Sequence, residues 1–382
     1  MHKICITCLL LLGLCALTVP AMADDASAGT AGSATASSSS DTSSSSTASS
    51  AAASSSTLAS TDPADPSTAL SGKMYVDFTD LTQDTNGTST NAQGYGLDVK
   101  RFYIGVNHDF DDIWSANFTT DITYDKAGGY TSPLVKTAFV QAKLNSSAIF
   151  QLGSANMPWI PFDEDVYGYR FVENTLIDRL HLGNSADWGV HFYGSGDDNA
   201  INYNFAMVNG GGYKNPSRSQ GEDFEGRVAF MPVSSLIIAV GAYTGHLGQQ
   251  FEQVSTANTA NRQDALIAYK TEAATLAVEY FHADNFSPAL VIGPQTDSAS
   301  GYSIYGDIAL GTSGAKLFAR YDNADPSKDL DPSKKDKYYN LGVSFPANSK
   351  ITWAIAYKHE DLSDNTTDTT TKEIGVWAQV VF

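Results

Sequence analysis

The stretch that decides the fold is Trp114-Ser115-Ala116-Asn117-Phe118-Thr119-Thr120-Asp121-Ile122-Thr123-Tyr124-Asp125. Apolar and aromatic residues, with Thr120, occupy its even positions, and small polar or acidic residues occupy its odd positions. Successive side chains of a β-strand point to opposite faces, so this alternation predicts a strand with one apolar and one polar face. The same pattern recurs around Trp188-Val190-Phe192, Ile201-Tyr203-Phe205-Met207 and Ile351-Trp353-Ile355-Tyr357.

Candidate strands of this kind number about sixteen between Gly72 and Phe382. Short turns such as Asn145-Ser146-Ser147 and Gly311-Thr312-Ser313 alternate along the chain with long polar connections. This regular alternation is typical of a barrel with its turns on the periplasmic side and its loops outside. We therefore predict an all-β protein: a transmembrane antiparallel β-barrel of about 16 strands, with long outer loops and short periplasmic turns.

The alternating pattern also has a second interpretation. A soluble β-sandwich alternates in the same way, so a secreted or outer-membrane binding or adhesive β protein is the alternative of another class. Tyr213 and Tyr302 would then contact sugars, whereas in a membrane barrel tyrosines form the interfacial girdle. No stretch after residue 23 approaches the roughly 18 consecutive apolar residues that indicate a transmembrane helix.

The N-terminal segments predict export and a flexible linker. Met1-His2-Lys3, an apolar run and Ala21-Met22-Ala23 have the pattern of a signal peptide over residues 1–23. All three cysteines lie in that segment, so the mature chain has no thiol for disulfides or metal ligation. Residues 24–71 are rich in Ser, Ala and Thr, which predicts a disordered linker. Residues 72–382 are then expected to form the barrel, in the outer membrane of a Gram-negative bacterium.

The net charge and the C-terminal sequence indicate which binding partners to expect. The formal net charge of −19 disfavours nucleic acid and is compatible either with solubility or with a pore that attracts cations. The chain ends Val376-Trp377-Ala378-Gln379-Val380-Val381-Phe382, an alternating strand closed by an aromatic residue. Such an ending resembles the signal that is read by the outer-membrane insertion machinery, with Phe382 as its terminal residue. The remaining expected partners are small hydrophilic solutes or ions and outer-membrane lipid.

The connection 155–185 differs from the other long connections. Met157-Pro158-Trp159-Ile160-Pro161-Phe162 is too apolar for a fully solvated loop, and its prolines stiffen it. Folded into the lumen, this constriction loop would narrow the pore, although an outer loop packed on its neighbours is the alternative. The charged residues expected at the constriction are Asp163, Glu164, Asp165, Arg170, Glu173 and Arg179.

Several short motifs together resemble the phosphate-selective porin O and P family. They are Lys100-Arg101-Phe102-Tyr103-Ile104-Gly105-Val106, Trp114-Ser115-Ala116-Asn117-Phe118, Val135-Lys136-Thr137-Ala138-Phe139-Val140-Gln141, and Gln151-Leu152-Gly153 leading into Pro161-Phe162. The resemblance covers most of residues 72–382 and implies a homotrimer of sixteen-stranded barrels, each with a loop folded into its pore.

Phosphate selectivity requires an uninterrupted row of Arg and Lys along the pore wall. The pore-wall candidates here mix the two signs: Arg101, Asp121, Lys143, Arg227, Lys316 and Arg320. We therefore expect passive diffusion that is general or mildly cation-preferring, with a phosphate- or anion-selective porin as the alternative.

An enzyme is not expected. The sequence has no G-x-S-x-G elbow and no His-Glu-x-x-His motif. His181, His191, His282 and His359 are general-base candidates only by residue type, because no motif joins them to a nucleophile. No organic cofactor and no metal site are predicted.

Overall fold

The structure is a computed structural model that describes residues 66–125, 130–196, 199–216 and 218–382. The predicted signal peptide and residues 24–65 of the predicted linker lie outside these residues. The first strand begins at Ser67, so residues 67–71 belong to the barrel rather than to the linker. The reason is pairing, because Ser67 to Ser71 lie opposite Asp109 to Gly105 of the next barrel strand.

The described residues are almost entirely strand, with three short helices. The strands are β1 (Ser67–Thr85), β2 (Thr88–Ser89), β3 (Gly94–Asp109), β4 (Trp114–Asp125), β5 (Tyr130–Asn145), β6 (Ala148–Asn156), β7 (Ala186–Ser195), β8 (Ile201–Val208), β9 (Asp223–Val233), β10 (Leu236–Gly245), β11 (Ala260–Lys270), β12 (Ala274–Asp284), β13 (Ser298–Ala309), β14 (Lys316–Asp325), β15 (Lys335–Pro346), β16 (Ile351–Ser363) and β17 (Asp368–Val381). The helices are α1 (Ile160–Tyr167), α2 (Leu176–Arg179) and α3 (Pro288–Ile292). No helix in the described ranges is long and apolar enough to cross a bilayer.

The strands close into an antiparallel barrel of 16 strands, which confirms the predicted fold class. Each barrel strand pairs with its neighbours along the chain, and β1 also pairs with β17. The short strand β2 pairs with the end of β1 beside the barrel. At the closure, the Gly72 N–H donates to the Phe382 carbonyl at 2.7 Å, and the Phe382 N–H donates to the Gly72 carbonyl at 3.0 Å.

The two faces of the wall follow the predicted alternation. On β12, Leu276, Val278 and Tyr280 are 61%, 39% and 49% exposed, whereas the intervening Ala277 and Glu279 are buried. The outer surface therefore carries rows of exposed apolar side chains, and the inner surface carries polar and small residues. This arrangement suits a wall with lipid outside and a polar interior.

Short and long connections alternate around the ring. Ser146 and Ser147 join β5 to β6, and Ser234 and Ser235 join β9 to β10. By contrast, residues 157–185, 209–222 and 246–259 form long connections. Because neighbouring strands are antiparallel, the short connections lie at one end of the barrel and the long ones at the other.

Candidate functional site

The connection between β6 and β7, residues 157–185, lies inside the barrel, and we call it the inserted segment. Its Trp159 N–H donates to Glu225 on β9 at 2.8 Å. Its Asp163 accepts from the Tyr305 hydroxyl on β13 at 2.7 Å, and the Tyr169 and Ser344 hydroxyls lie 3.3 Å apart at β15. Contacts to such distant strands of a closed ring require the segment to cross the interior.

Helix α1 begins the crossing, and its sequence explains its length. Pro161 lies in the first turn, where proline costs no hydrogen bond, and Gly168 ends the helix with a left-handed φ of 76°. The Trp159 side chain just before the helix is fully buried. Its indole packs against Gly241 of β10, where any Cβ would collide with the ring. Small residues on the wall, including Ala229, Ala239, Ala268 and Ala277, make room for the segment in the same way.

Helix α2 carries an anchor that contacts three strands. Arg179 donates to both carboxylate oxygens of Asp336 on β15, at 2.7 and 3.1 Å, and to Asp322 on β14 at 3.2 Å. It also pairs with Glu360 on β16, and its guanidinium lies 4.8 Å from the centre of the Tyr338 ring. A planar guanidinium fork suits such bidentate contacts, so Arg179 fixes α2 to three strands at once.

Cations on the wall bind backbone carbonyls of the inserted segment. Arg227 donates to the Pro158 carbonyl at 2.9 Å and Lys270 to the Asp165 carbonyl at 2.5 Å. Two further contacts of this kind join Arg320 to the Asn174 carbonyl and Arg262 to the Leu182 carbonyl. Two of the predicted pore-wall residues, Arg227 and Arg320, therefore hold the segment in place instead of facing an open lumen.

Three of the six predicted constriction residues lie against the wall. These are Asp163, Glu173 and Arg179. Burial raises the pKa of Asp163 above its ordinary value. Burial acts in the same direction on Glu173, but the nearby Lys358 and Lys100 ammoniums outweigh it and hold the pKa of that carboxyl below its ordinary value. The Lys358 ammonium lies 2.9 Å from Glu173.

The other three predicted constriction residues form the free side of the segment. Arg170 pairs with Glu164 at 2.6 Å and with Asp178 at 3.1 Å. Asp165 is exposed, and no cation is ion-paired with its carboxylate among the described residues. The free side of the inserted segment is therefore predominantly acidic.

The opposite wall is basic and includes two residues that sequence reasoning missed. Lys73 on β1 interacts electrostatically with Asp165 and Glu164, and Lys136 on β5 interacts with Glu164. Within the described part of the chain neither lysine has an ion-paired carboxylate, and Lys136 lies 4.7 Å from the centre of the Tyr103 ring. The predicted Arg101 lies on the same wall, 3.8 Å from the buried carboxylate of Asp121. The alternation of β1 could have predicted that Lys73 faces inward, because Tyr75 and Asp77 lie on the same face of this strand.

The remaining predicted pore-wall residues lie away from this region. Lys143 is exposed near the end of β5, and Lys316 pairs with Asp307 at 2.9 Å. The site thus consists of an acidic edge on the inserted segment and a basic patch across from it. An electric field between two such faces acts on any charged or dipolar solute that passes between them.

Comparison with known proteins identifies the fold. No family model matches the sequence, and no curated protein matches it. The outer membrane channel DcaP of Acinetobacter baumannii matches with a TM-score of 0.62 and 10% identity, over 83% of this chain and 98% of that chain. The anion-selective porin from Comamonas acidovorans matches with a TM-score of 0.59 and 13% identity, over 83% and 100%. OmpF of Salmonella typhi matches with a TM-score of 0.54 and 13% identity, over 83% and 98%.

These similarities give the chain a porin-type β-barrel fold. At such identities the likeness concerns the fold alone. The narrower resemblance to the phosphate-selective porin O and P family stays a prediction.

Proposed function

We propose that this protein is an outer-membrane porin of a Gram-negative bacterium, a passive diffusion channel for small hydrophilic solutes or ions. The observation that carries the proposal is the inserted segment, which crosses a barrel whose outer surface is apolar and is anchored on several distant strands. A barrel of this strand number encloses an aqueous lumen, and a segment fixed inside it sets the smallest cross-section. The channel acts without catalysis and without a cofactor.

The constriction lies between the acidic edge of the inserted segment and the basic wall patch. Asp165 with Glu164 forms one side, and Lys73, Arg101 and Lys136 form the other. The net charge of −19 raises the local concentration of cations around the barrel. We therefore propose a general or mildly cation-preferring channel.

A second candidate is a phosphate- or anion-selective porin. Lys73 and Lys136 favour it, because no carboxylate is ion-paired with either within the described residues. An ammonium without a paired carboxylate is available to replace the water that an anion loses on entry. Against this candidate, the described residues form no continuous row of cations beyond this patch, because Arg227 and Arg320 are occupied by the inserted segment.

A secreted adhesive β protein is the alternative of another class. The apolar rows of the outer surface argue against it, because a soluble barrel would expose them to water. Extraction separates the two possibilities. A membrane barrel requires detergent and changes its electrophoretic mobility on heating, whereas a secreted protein appears in the soluble fraction. The proposed homotrimer would appear as a larger species in unheated, cross-linked samples.

Planar-bilayer recording tests the channel directly. Detergent-purified, unheated protein should give reproducible conductance steps with modest ion selectivity in a salt gradient. The same preparation after heat denaturation serves as the control and should give none. A correctly folded barrel that inserts without conductance steps would contradict the proposal.

A further inference from the structure

Two buried carboxyl groups meet where α1 touches the barrel wall. Asp163 of α1 and Glu279 of β12 are both fully buried. One oxygen of each has a donor: Asp163 Oδ1 accepts from the Tyr305 hydroxyl at 2.7 Å, and Glu279 Oε1 accepts from the Trp159 indole N–H at 3.0 Å. The second oxygen of each, Asp163 Oδ2 and Glu279 Oε2, makes no hydrogen bond of ordinary geometry within the described chain, although the buried Thr175 hydroxyl lies near the Asp163 carboxylate.

The local structure brings these two groups close enough for the charge of Asp163 to act on Glu279. Trp159 and Asp163 are one helical turn apart, joined by the hydrogen bond from the Asp163 N–H to the Trp159 carbonyl at 3.0 Å. On the wall, Glu279 lies opposite Ser303 of β13, and Tyr305 lies two residues further along on the same face. One turn of α1 therefore covers two neighbouring inward positions of β12 and β13.

The surrounding charges do not neutralise both groups. From β14, Arg320 faces both, but it is engaged with Asp322 at 2.6 Å and with the Asn174 carbonyl. From β11, Asp264 adds negative charge beside Glu279, although Arg262 holds it at 2.9 Å. From α1, Glu164 adds negative charge beside Asp163. Two carboxyl groups in such an enclosed place do not both ionise at neutral pH.

We propose that Asp163 and Glu279 form a proton-binding pair that shares one proton at neutral pH and fastens α1 to the barrel wall while that proton is bound. The protonated carboxyl donates its O–H to the free oxygen of its partner, which satisfies both orphaned oxygens at once. The inference is independent of which solute passes the channel.

Docking of α1 and binding of the proton are linked, and this linkage decides how docking changes with pH. The docked segment holds the proton more tightly than a released segment, in which both groups are hydrated and ionise near their ordinary pKa values of about 4. In the docked state burial raises the pKa of Asp163, and the two carboxyl groups titrate as one unit. Docking is therefore fully supported only below about pH 4, weakens progressively as the pH rises above that value, and is weakest once the shared proton has left the docked pair.

Two amide variants imitate the bound proton. In Glu279→Gln the amide oxygen still accepts from Trp159, and the amide NH2 donates to Asp163 Oδ2. In Asp163→Asn the amide oxygen still accepts from Tyr305, and the NH2 donates to Glu279 Oε2. The matched control is Glu272→Gln, an exposed glutamate in the turn between β11 and β12.

Infrared spectroscopy of the folded protein in detergent tests the shared proton. At pH 7, the difference spectrum of wild type minus Glu279→Gln should contain the carbonyl stretch of a protonated carboxylic acid. The difference spectrum of wild type minus Glu272→Gln should lack it. The proposal is overturned if the difference spectrum of wild type minus Glu279→Gln contains only a carboxylate band. Both groups would then be ionised in the wild type.

Hydrogen exchange of the α1 backbone amides tests the fastening. At pH 4, where the carboxyl groups are protonated in the docked and released segments alike, the wild type and Glu279→Gln should exchange at equal rates. At pH 9 the wild type should exchange at least tenfold faster than either amide variant, because the docked and released pKa values of the pair differ by more than one unit, and each unit corresponds to a factor of about ten. Equal rates at both pH values would refute the pH-dependent fastening. Neither measurement requires conductance, so failure here is distinct from failure of the channel proposal.

Discussion

Arg179 and Asp336 form a bidentate ion pair inside the barrel. Nη2 donates to Oδ1 at 2.7 Å, and Nη1 donates to Oδ2 at 3.1 Å. Both side chains are almost fully buried, so solvent screens the pair little. The pair joins α2 of the inserted segment to β15, so the position of the proposed constriction depends on it.

Arg179→Met should release α2 from the wall. Asp336 would be left as a buried charge without its cation, which costs about 3–5 kcal/mol in comparable pairs. We expect a larger and noisier single-channel conductance in planar bilayers, because the segment no longer holds one position. The matched control is Arg218→Met, an exposed arginine in the long connection between β8 and β9. A conductance equal to that of the control would show that other contacts suffice.

Trp159→Ala should loosen the other end of the inserted segment. The indole is fully buried against Gly241, and truncation of such a side chain costs about 3–5 kcal/mol. We expect a lower midpoint of thermal unfolding and an increased conductance. Trp114→Ala removes an exposed indole from the outer face and serves as the control. If both variants lower the midpoint of thermal unfolding equally, the contacts of Trp159 inside the barrel do not contribute specifically to stability.

The sequence predicted the barrel because strand alternation is a local property. Trp114 and Phe118 are exposed on the outside of β4, and Asp121 is buried inside, as their spacing indicated. The beginning of β1 was missed because Ser67 to Ser71 have the composition of the linker before them. Pairing with the far end of β3 makes them strand, and such pairing is not visible in a local pattern.

The site was predicted less completely than the fold. Spacing indicates that a side chain faces inward, but not whether an inserted segment covers it. Arg227 and Arg320 face inward as expected, yet both bind carbonyls of the segment. The sequence predicted that Asp163, like Asp165, faces the pore. In the structure the position of Asp163 in α1 directs its carboxylate to the Tyr305 hydroxyl. These outcomes depend on contacts between residues far apart in sequence.

Gly72→Val should impair closure of the barrel. The Phe382 ring occupies the space beside Gly72 that a Cβ would enter, while the two backbones exchange hydrogen bonds. A branched side chain must displace the ring at the junction of β1 and the C-terminus. We expect a reduced yield of folded, heat-modifiable barrel in gel electrophoresis. Gly96→Val, at a strand glycine of β3 with open space around it, should fold like the wild type. Equal yields would show that the ring moves aside at no cost.

Ion selectivity should respond to the two faces of the constriction in opposite directions. Asp165 is exposed on the segment, and Lys73 interacts with it from the wall. A unit charge about 4 Å from a passing ion changes its energy by about 1 kcal/mol in a water-like medium. Asp165→Lys should therefore lower the cation-to-anion permeability ratio about tenfold or more, and Lys73→Glu should raise it similarly.

The reversal potential in a salt gradient measures this ratio, and its dependence on total salt checks the electrostatic origin. The shifts should shrink at high ionic strength, because screening shortens the reach of each charge. Asp364→Lys, in the connection between β16 and β17, changes the net charge by the same amount away from the constriction and should shift the potential little. If Asp364→Lys and Asp165→Lys act alike, the total charge of the barrel sets the selectivity and the inserted segment does not.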